Sequence, residues 1–261
     1  MPYSYYTLLS SCALVLLSFT TQAQESLPAP AVSTPLDCTH PFGLNSYMEL
    51  VYSITDERGK PAGTIRQRVV SLGAQTNKKK TVTTNTALVK SGLYDVKNRL
   101  IRLQDLTYGC RQDTTFTDGM SEIEFKNLSS FRDRRLAYTP VGLAWPNEPT
   151  VGTMLPGGGV SVQVSSTAVN IAQVNTTVRR RRIVSGPAPL VTPAGTFQCY
   201  KVECEREAST APREDMVMRT RTRVIDYYSP AVGIVKTEVY NKNGKLAETR
   251  LLTARNAGNQ P

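Results

Sequence analysis

The sequence has a single histidine, His40, and it contains no CxxC pair. A catalytic triad or a zinc site would have to use that imidazole, which follows a proline-rich stretch and precedes Pro41, a poor place for a preorganised base. Walker loops, GxSxG, HExxH, EF-hand loops and a GxGxxG after a strand are also missing. We therefore expect no catalytic residues, no cofactor and no metal ligands.

Charge is missing from residues 1–23, which contain an apolar run at about residues 8–19. Small residues stand where a signal peptidase cleaves, so this segment predicts a secretory signal peptide removed near Ala23. Residues 9–12, LSSC, resemble a lipobox, and acylation of Cys12 is the alternative. No later segment approaches the ~20 apolar residues of a membrane-spanning helix. The sequence thus predicts an exported protein, periplasmic or secreted, that does not span the membrane.

Helix signals are scarce in the remainder. Residues 24–36 are a Pro/Ala/Ser linker without periodicity, residues 37–256 are predicted to form a single β-rich domain, and residues 257–261 a flexible tail. Alternating apolar runs are separated by turn residues, most clearly at Asn243-Gly244. Only residues 119–137 carry a short helical stripe. The predicted fold is all-β, an antiparallel β-barrel or a strongly curved sheet with one short helix at its opening.

The charge is unbalanced, with 31 Lys and Arg against 21 Asp and Glu, a net +10. Such a balance can attract anionic lipid or polyanionic glycan, and an exported protein rarely meets nucleic acid. On strands we expect the basic residues on solvent faces. Residues 219–224, RTRTRV, alternate as a half-buried strand does, and residues 179–182, RRRR, would place two arginines on each face. Expected partners are an envelope protein, a lipid or a polyanionic glycan, and not nucleic acid.

Four cysteines follow the predicted cleavage site, an even number for an oxidising compartment: Cys38, Cys110, Cys199 and Cys204. If residues 196–205 form a strand, Cys199 and Cys204 lie about 16 Å apart on opposite faces. A disulfide needs Cα atoms within ~7 Å, so these two are not expected to pair. Either each pairs with one of the other two, or one bridge leaves two thiols free. The apolar phase changes after Cys199, which predicts a bulge or a strand buried on both faces.

The motifs VTPAGTFQCYKVE, residues 191–203, and DYYSPAVGIVKTEVYNKNGKL, residues 226–246, resemble the TapB-like (DUF3108-like) family of exported proteins from Bacteroidetes. The resemblance spans roughly residues 37–254. It implies an exported, β-rich envelope protein of uncharacterised activity, and it transfers no catalytic residues. Because Cys204 has no counterpart in the family pattern, the resemblance also implies one bridge among the other three cysteines, with Cys204 free.

These observations predict a protein that is not an enzyme, namely a non-catalytic binding or structural β domain of the cell envelope. One alternative is a periplasmic carrier of an apolar ligand or lipid, which needs an apolar cavity of some hundreds of Å³. The other is a hydrolase that uses carboxylates. Carboxylate pairs such as Glu122 and Glu124 are expected on solvated faces. Trp145, Tyr227 and Tyr228 are candidate binding contacts, with packing as the more common role of such rings.

Overall fold

The computed structural model describes residue 1 and residues 38–258, except residues 132, 168, 214 and 215. The predicted signal peptide, the lipobox cysteine, the linker at 24–36 and residues 259–261 of the predicted tail lie outside the described residues.

Strands dominate the described part of the chain, and they all belong to one antiparallel sheet. In chain order they are β1 (Glu49–Asp56), β2 (Pro61–Thr76), β3 (Thr83–Tyr94), β4 (Leu100–Arg111), β5 (Thr114–Thr117), β6 (Arg135–Val141), β7 (Leu143–Pro146), β8 (Met154–Leu155), β9 (Gly158–Ser165), β10 (Asn170–Thr192), β11 (Gly195–Arg213), β12 (Met216–Ser229), β13 (Gly233–Tyr240) and β14 (Leu246–Asn256). The predicted hairpin at Asn243-Gly244 connects β13 to β14.

The sheet curls into a nearly closed barrel. Its strands lie in the order β6-β9-β10-β11-β12-β13-β14-β1-β2-β3-β4-β5-β7, while the short β8 pairs with β10. The two end strands of this order, β6 and β7, are consecutive in the chain and are separated by Gly142 alone. The edges of the sheet therefore meet at one residue, and the all-β prediction of an antiparallel barrel is confirmed.

Where the sequence predicted one short helix, the structure has two 3-10 helices, at Gly119–Glu122 and Phe125–Phe131. Asp118 begins the first of them: its carboxylate accepts hydrogen bonds from the backbone N–H of Met120 at 2.9 Å and of Thr107 in β4 at 2.8 Å. A Cβ on Gly119 would collide with backbone atoms of Gly159 and Val141. Only glycine therefore lets this turn enter the seam between the end strands. A third 3-10 helix, Pro41–Gly43, precedes β1.

Two apolar clusters fill the interior. The larger lies between β1–β4 and β10–β14 and includes Leu106, Val202, Val224 and Leu252, each at most 1% exposed. The smaller lies where Ile123 and Leu128, on and beside the 3-10 helices, cover the inward valines of β9 and β10: Val160, Val162, Val164 and Val174. None of the helices in the described residues is long and apolar enough to cross a membrane.

The sequence predicted that the four consecutive arginines of β10 place two side chains on each face. This prediction was wrong. The register with β11 shifts between Arg179 and Arg182, and Arg180 adopts a positive φ of 53°. This bulge turns Arg181 into the core, where it is 1% exposed, and leaves Arg180 and Arg182 exposed. Two further register shifts lie between Ile183 and Ala188, opposite Cys199–Val202. An irregularity is therefore present after Cys199, as predicted, but the extra residues belong to β10.

The cysteines form one bridge. Cys38 and Cys110 are joined with their Cα atoms 5.2 Å apart, whereas Cys199 and Cys204 are free and buried. The two-bridge arrangement was wrong, and the single-bridge arrangement that the family resemblance implied is confirmed. Burial raises the pKa of the Cys199 thiol to about 12 and that of Cys204 further. Both thiols are therefore neutral residues of the core.

Candidate functional site

A cavity of about 130 Å³ lies inside the barrel. Its wall is built from inward-facing side chains of β1–β5 and β11–β14, together with the first 3-10 helix, Gly119–Glu122. An engineered cavity of ~150 Å³ in another protein holds a benzene-sized molecule. The cavity therefore has room for one ring-sized group, or for one end of a longer molecule.

One part of the cavity wall is apolar. The alternation of β1 and β4 turns Leu50 and Leu106 inward, where they are 4% and 1% exposed. Phe42 closes this part from the turn before β1, and its ring meets those of Tyr108 and Tyr228 edge-on, at centroid distances of 5.9 and 6.1 Å. These contacts fix the apolar wall in a preformed shape.

The other part of the wall carries a buried ion pair. Arg206 of β11 donates two hydrogen bonds to the Oε2 of Glu122, from Nε at 3.1 Å and from Nη2 at 2.7 Å. The side chains are only 10% and 11% exposed. The hydroxyl of Ser121 donates its proton to the carbonyl of Asp118 at 2.7 Å and lies 3.3 Å from the other carboxylate oxygen of Glu122. The first 3-10 helix thus delivers a carboxylate into the barrel, where β11 supplies its counter-charge.

A second carboxyl group, Asp226 of β12, faces the same cavity and is 9% exposed. One of its oxygens accepts a hydrogen bond of 2.6 Å from the hydroxyl of Thr237 in β13, the residue directly opposite it in the ladder. Among the described residues Asp226 forms no salt bridge, and the nearby Arg206 is paired with Glu122. The second oxygen of Asp226 is therefore available to a guest in the cavity.

The two carboxyl groups have opposite pKa shifts. Burial acts to raise the pKa of Glu122, but the guanidinium groups of Arg206 and Arg250 outweigh it and hold that pKa below its usual value. Burial raises the pKa of Asp226, and the hydrogen bond from Thr237 offsets only part of this effect. Glu122 is thus ionised at neutral pH, while Asp226 binds its proton more tightly than a solvated aspartate does.

The cavity also contains an unpartnered acceptor. The Oε1 of Gln104, an inward residue of β4, is buried and accepts no hydrogen bond from any described residue. Nearby, Gln67 donates to the hydroxyl of Tyr108 at 3.2 Å. A buried acceptor without a partner costs about 1–3 kcal/mol. A guest that donates a hydrogen bond to Gln104 would remove that cost.

The lining provides polar groups that a bound molecule could contact. Arg206 donates both of its hydrogen bonds to the Oε2 of Glu122, so Oε1 is the oxygen that remains for a hydrogen bond with a guest. Within the part of the chain that the structure describes, no three His, Cys, Asp or Glu side chains come together in a metal-binding arrangement.

The aromatic residues singled out from the sequence lie outside this cavity lining. Trp145 and Tyr228 are buried and stack on each other with centroids 5.0 Å apart; Tyr228 donates to the carbonyl of Pro146 at 3.0 Å, and the guanidinium of Arg181 lies 4.4 Å from the Trp145 ring. Tyr227 lies on the outer face, with the ammonium groups of Lys201 and Lys236 5.3 and 5.0 Å from its ring. Trp145 and Tyr228 therefore pack the core, and a partner contact at Tyr227 stays a prediction.

Sequence reasoning missed the charged residues of the cavity. Glu122, expected on a solvated face, is buried, because the glycine turn before it enters the seam. Arg206 and Asp226 carried a usable signal. In β11, Val202, Cys204 and Arg206 share one face, and in β12 Val224 and Asp226 do so. A charge at an inward position of a strand requires a partner inside.

Comparison with known proteins supports the fold. The sequence model of the DUF3108-like family matches residues 48–252. A crystal structure of a "putative lipoprotein" from Parabacteroides distasonis has a TM-score of 0.64 and 19% identity, over 85% of this chain and 100% of that one. A "putative exported protein with YmcC-like fold" from Bacteroides fragilis has a TM-score of 0.60 and 16% identity, over 84% and 100%. Among curated proteins, none is similar to this chain.

Proposed function

The chain belongs to the DUF3108-like family, and on that premise we propose that it is an exported cell-envelope protein that binds a small amphipathic molecule inside its barrel without transforming it. The observation that carries the proposal is an interior cavity whose wall has an apolar part and a polar part. Leu50 and Leu106 would hold the apolar portion of the guest. Asp226 and Gln104 would accept hydrogen bonds from its polar group.

Export is supported by two further observations. Disulfides persist in oxidising compartments, and Cys38 is bridged to Cys110. The similar crystal structures bear the names of an exported protein and a lipoprotein. The predicted signal peptide would be removed near Ala23, with acylation at Cys12 as the alternative. The intact mass of the mature chain distinguishes these two, because a lipid-modified chain begins at Cys12 and carries acyl mass.

The size of the cavity limits the guest. Sites for drug-sized molecules enclose ~300–1,000 Å³, whereas this cavity measures about 130 Å³. A whole lipid chain does not fit within it. The carrier alternative is therefore proposed in a narrower form, in which a single ring or the polar end of a longer molecule enters the barrel and the remainder lies outside.

Native mass spectrometry tests the proposal. The mature protein, purified from its own envelope fraction without reductant, should carry an adduct of small-molecule mass that organic extraction removes. Ile65 lies half-buried in the cavity wall, so Ile65→Trp should fill the cavity and lower the occupied fraction at least fivefold. Ile101→Trp is the matched control, because Ile101 is exposed on the opposite face of the sheet.

Two results would contradict the proposal that the barrel binds a small molecule. A wild-type chain that is bare in every preparation would leave a structural role in place of ligand binding. An adduct retained equally by Ile65→Trp would locate the ligand elsewhere in the molecule.

A hydrolase is the second candidate, and the opposite pKa shifts of Glu122 and Asp226 favour it, because such pairs divide acid and base roles in glycosidases. In that case Asp226 would be the acid and Glu122 the base. Turnover of chromogenic glycosides or esters by the wild type, reduced at least 100-fold in Asp226→Asn, would establish it. Equal rates in the two proteins would reject this site as a catalytic one.

A further inference from the structure

Strand β12 extends beyond the neighbour on one of its sides. β11 pairs with it along its length, from Met216 to Tyr228. β13 reaches only Arg223, because the chain turns at Asn241. Residues 216–222 therefore present a free strand edge of seven residues, paired with no other described strand on that side.

The first three side chains of this free edge are apolar and exposed. Met216, Val217 and Met218 are 46%, 43% and 59% exposed. Proteins usually protect a free edge with charges, proline or a bulge, since it can pair with another chain. Contiguous exposed apolar residues mark interaction sites. The tip of β12 thus combines unpaired backbone groups with apolar side chains on both faces.

The outer face beside the edge is basic. Alternation along β12 places Arg219, Arg221 and Arg223 on that face, and β10 adds Arg179, Arg180 and Arg182. The part of β11 between them supplies Glu203, Glu205 and Glu207. Six cations thus face three anions. Glu207 contacts Arg179 and Arg221 at 2.8 and 2.6 Å, and Glu205 also contacts more than one arginine, whereas Glu203 pairs with Arg223. The arginines of β12 therefore lie on a face where cations outnumber anions.

We propose that residues 216–222 are a docking site for an extended segment of another protein, which adds to the sheet as a strand beside β12. Main-chain hydrogen bonds would supply affinity, as in other cases of β-augmentation. The register would bring alternate side chains of the segment beside Met216 and Met218 on one face, and beside Arg219 and Arg221 on the other. The partner segment therefore alternates apolar with acidic residues.

A second copy of the chain does not fit this edge. An antiparallel pair of β12 strands would bring Arg219 and Arg221 of one copy against the same arginines of the other, and like charges directly opposite destabilise a sheet. Charge complementarity thus selects an acidic partner over self-association.

The molecule contains its own control edge. Residues 71–76 of β2 pair only with β3, so they too have a free side. Along that edge the exposed positions carry small or polar residues, such as Gly73, Ala74 and Gln75. Both edges offer unpaired backbone groups, but their side chains differ. A peptide strand should therefore bind at residues 216–222 and not at residues 71–76.

Hydrogen exchange with a synthetic probe tests the proposal. The full mature chain is mixed with an acetylated heptapeptide of alternating valine and glutamate, or with the same peptide carrying lysine for glutamate. The acidic peptide should slow amide exchange at residues 216–222 at least tenfold and leave residues 71–76 unchanged. Its Kd should be at least tenfold below that of the basic peptide.

A charge swap sharpens the test. Arg221→Glu should raise the Kd of the acidic peptide at least fivefold and lower the Kd of the basic one. Lys79→Glu is the same charge change in the exposed β2–β3 turn, and it should leave both Kd values unchanged. Exchange at 216–222 that is unchanged at saturating peptide overturns the proposal. So does protection of Met216–Met218 by anionic phosphatidylglycerol vesicles but not by the peptide, which would assign the tip to a membrane surface. Ile65→Trp should leave peptide binding intact, so the edge and the cavity are tested separately.

Discussion

Strand β11 carries ion pairs on both of its faces, and the two faces differ in what those pairs do. On the inner face Arg206 holds Glu122 at 2.7 Å with both side chains nearly excluded from solvent. On the outer face Glu205 and Glu207 share Arg179 and Arg221, whose side chains are 39% and 58% exposed. The same chemical pair is thus found in two environments, one residue apart along one strand.

The difference shows that burial, and not distance, determines the consequence of breaking a pair. Contacts of 2.6–2.9 Å occur on both faces. Outside, water and salt solvate a charge that loses its partner, so an exposed pair contributes about 0–1 kcal/mol. Inside, a charge without its partner keeps its desolvation cost, and removing one member typically costs about 3–5 kcal/mol.

The largest expected effect comes from the inner face. Arg206→Met removes the guanidinium and leaves the ionised Glu122 buried, so the free energy of unfolding should fall by about 3–5 kcal/mol. Urea unfolding at pH 7 measures this. The double variant Arg206→Met with Glu122→Met should recover most of the loss, because no buried charge remains. A single-variant loss under about 1 kcal/mol would place the inner pair in the same class as the outer ones.

Lowering the pH tests the same pair. The folded pKa of Glu122 lies below its unfolded value, so its contribution is present above the unfolded pKa and is lost as the pH falls through the folded pKa. The wild type should therefore lose stability on acidification more steeply than the double variant. Parallel curves for the two proteins would contradict the lowered pKa.

Arg181 extends the comparison to a buried cation held by carbonyl groups. Its Nη1 donates to the carbonyls of Ala144 at 2.9 Å and Pro156 at 2.8 Å, and its Nη2 has no partner among the described residues. Arg181→Met removes both hydrogen bonds from a buried guanidinium and should cost about 1–3 kcal/mol by chemical denaturation. The adjacent, exposed Arg182→Met should cost under about 0.5 kcal/mol. An Arg181→Met variant as stable as the wild type would mean that desolvating the cation costs as much as its hydrogen bonds return.

Asp226 should affect the pH dependence of stability in the opposite direction to Glu122. Its pKa is raised in the folded state, so the wild type loses stability as the pH rises from the unfolded pKa through the folded one. Asp226→Asn keeps an acceptor for Thr237 and removes that penalty. The variant should match the wild type in acid and exceed it by about 0.5–2 kcal/mol at pH 7. Thermal unfolding at pH 3.5 and at pH 7 measures the change, and a variant that is less stable at pH 7 would refute the raised pKa.

The smallest effect belongs to the outer face. Arg221→Gln should lower the free energy of unfolding by under about 1 kcal/mol, because Glu205 and Glu207 retain Arg179 and solvent. The loss should disappear in 1 M NaCl, where the screening length is about 3 Å. The Arg206→Met loss should persist in the same salt. A salt-independent loss at Arg221 would show that the outer pairs are desolvated.

Local patterns were sufficient to predict the strands and their turns. Asn243-Gly244 marks the turn between β13 and β14, and alternation along β12 specifies which side faces the core. Five-residue spacing within one strand correctly kept Cys199 and Cys204 apart, and both are free. These features depend on residues a few positions apart, which is the range over which sequence dictates backbone geometry.

The candidate site depends on longer separations, and there the sequence was insufficient. Glu122 and Arg206 are 84 positions apart, and they meet only because a glycine turn enters the seam of the barrel. Arg181 faces inward because a bulge interrupts the alternation of β10. Neither the seam nor the bulge has a marker in the local pattern. The inward phase of Arg206 and Asp226 was the one available signal of a polar interior.

The pairing of β1 with β14 imposes an order on assembly. Leu50 lies opposite Arg255, so the first strand finds its neighbour on that side only when the last one exists. The N-terminal part of a chain is made first. If export also begins at the N-terminus, β1–β4 reach the oxidising compartment before β14 does and can form a sheet fragment there. Cys38 and Cys110 both belong to this early fragment, so oxidation can secure it before the barrel closes. A chain that stops before residue 246 would keep its bridge and yet leave β1 with an open side, which makes the final hairpin the step that converts a linked fragment into a finished protein.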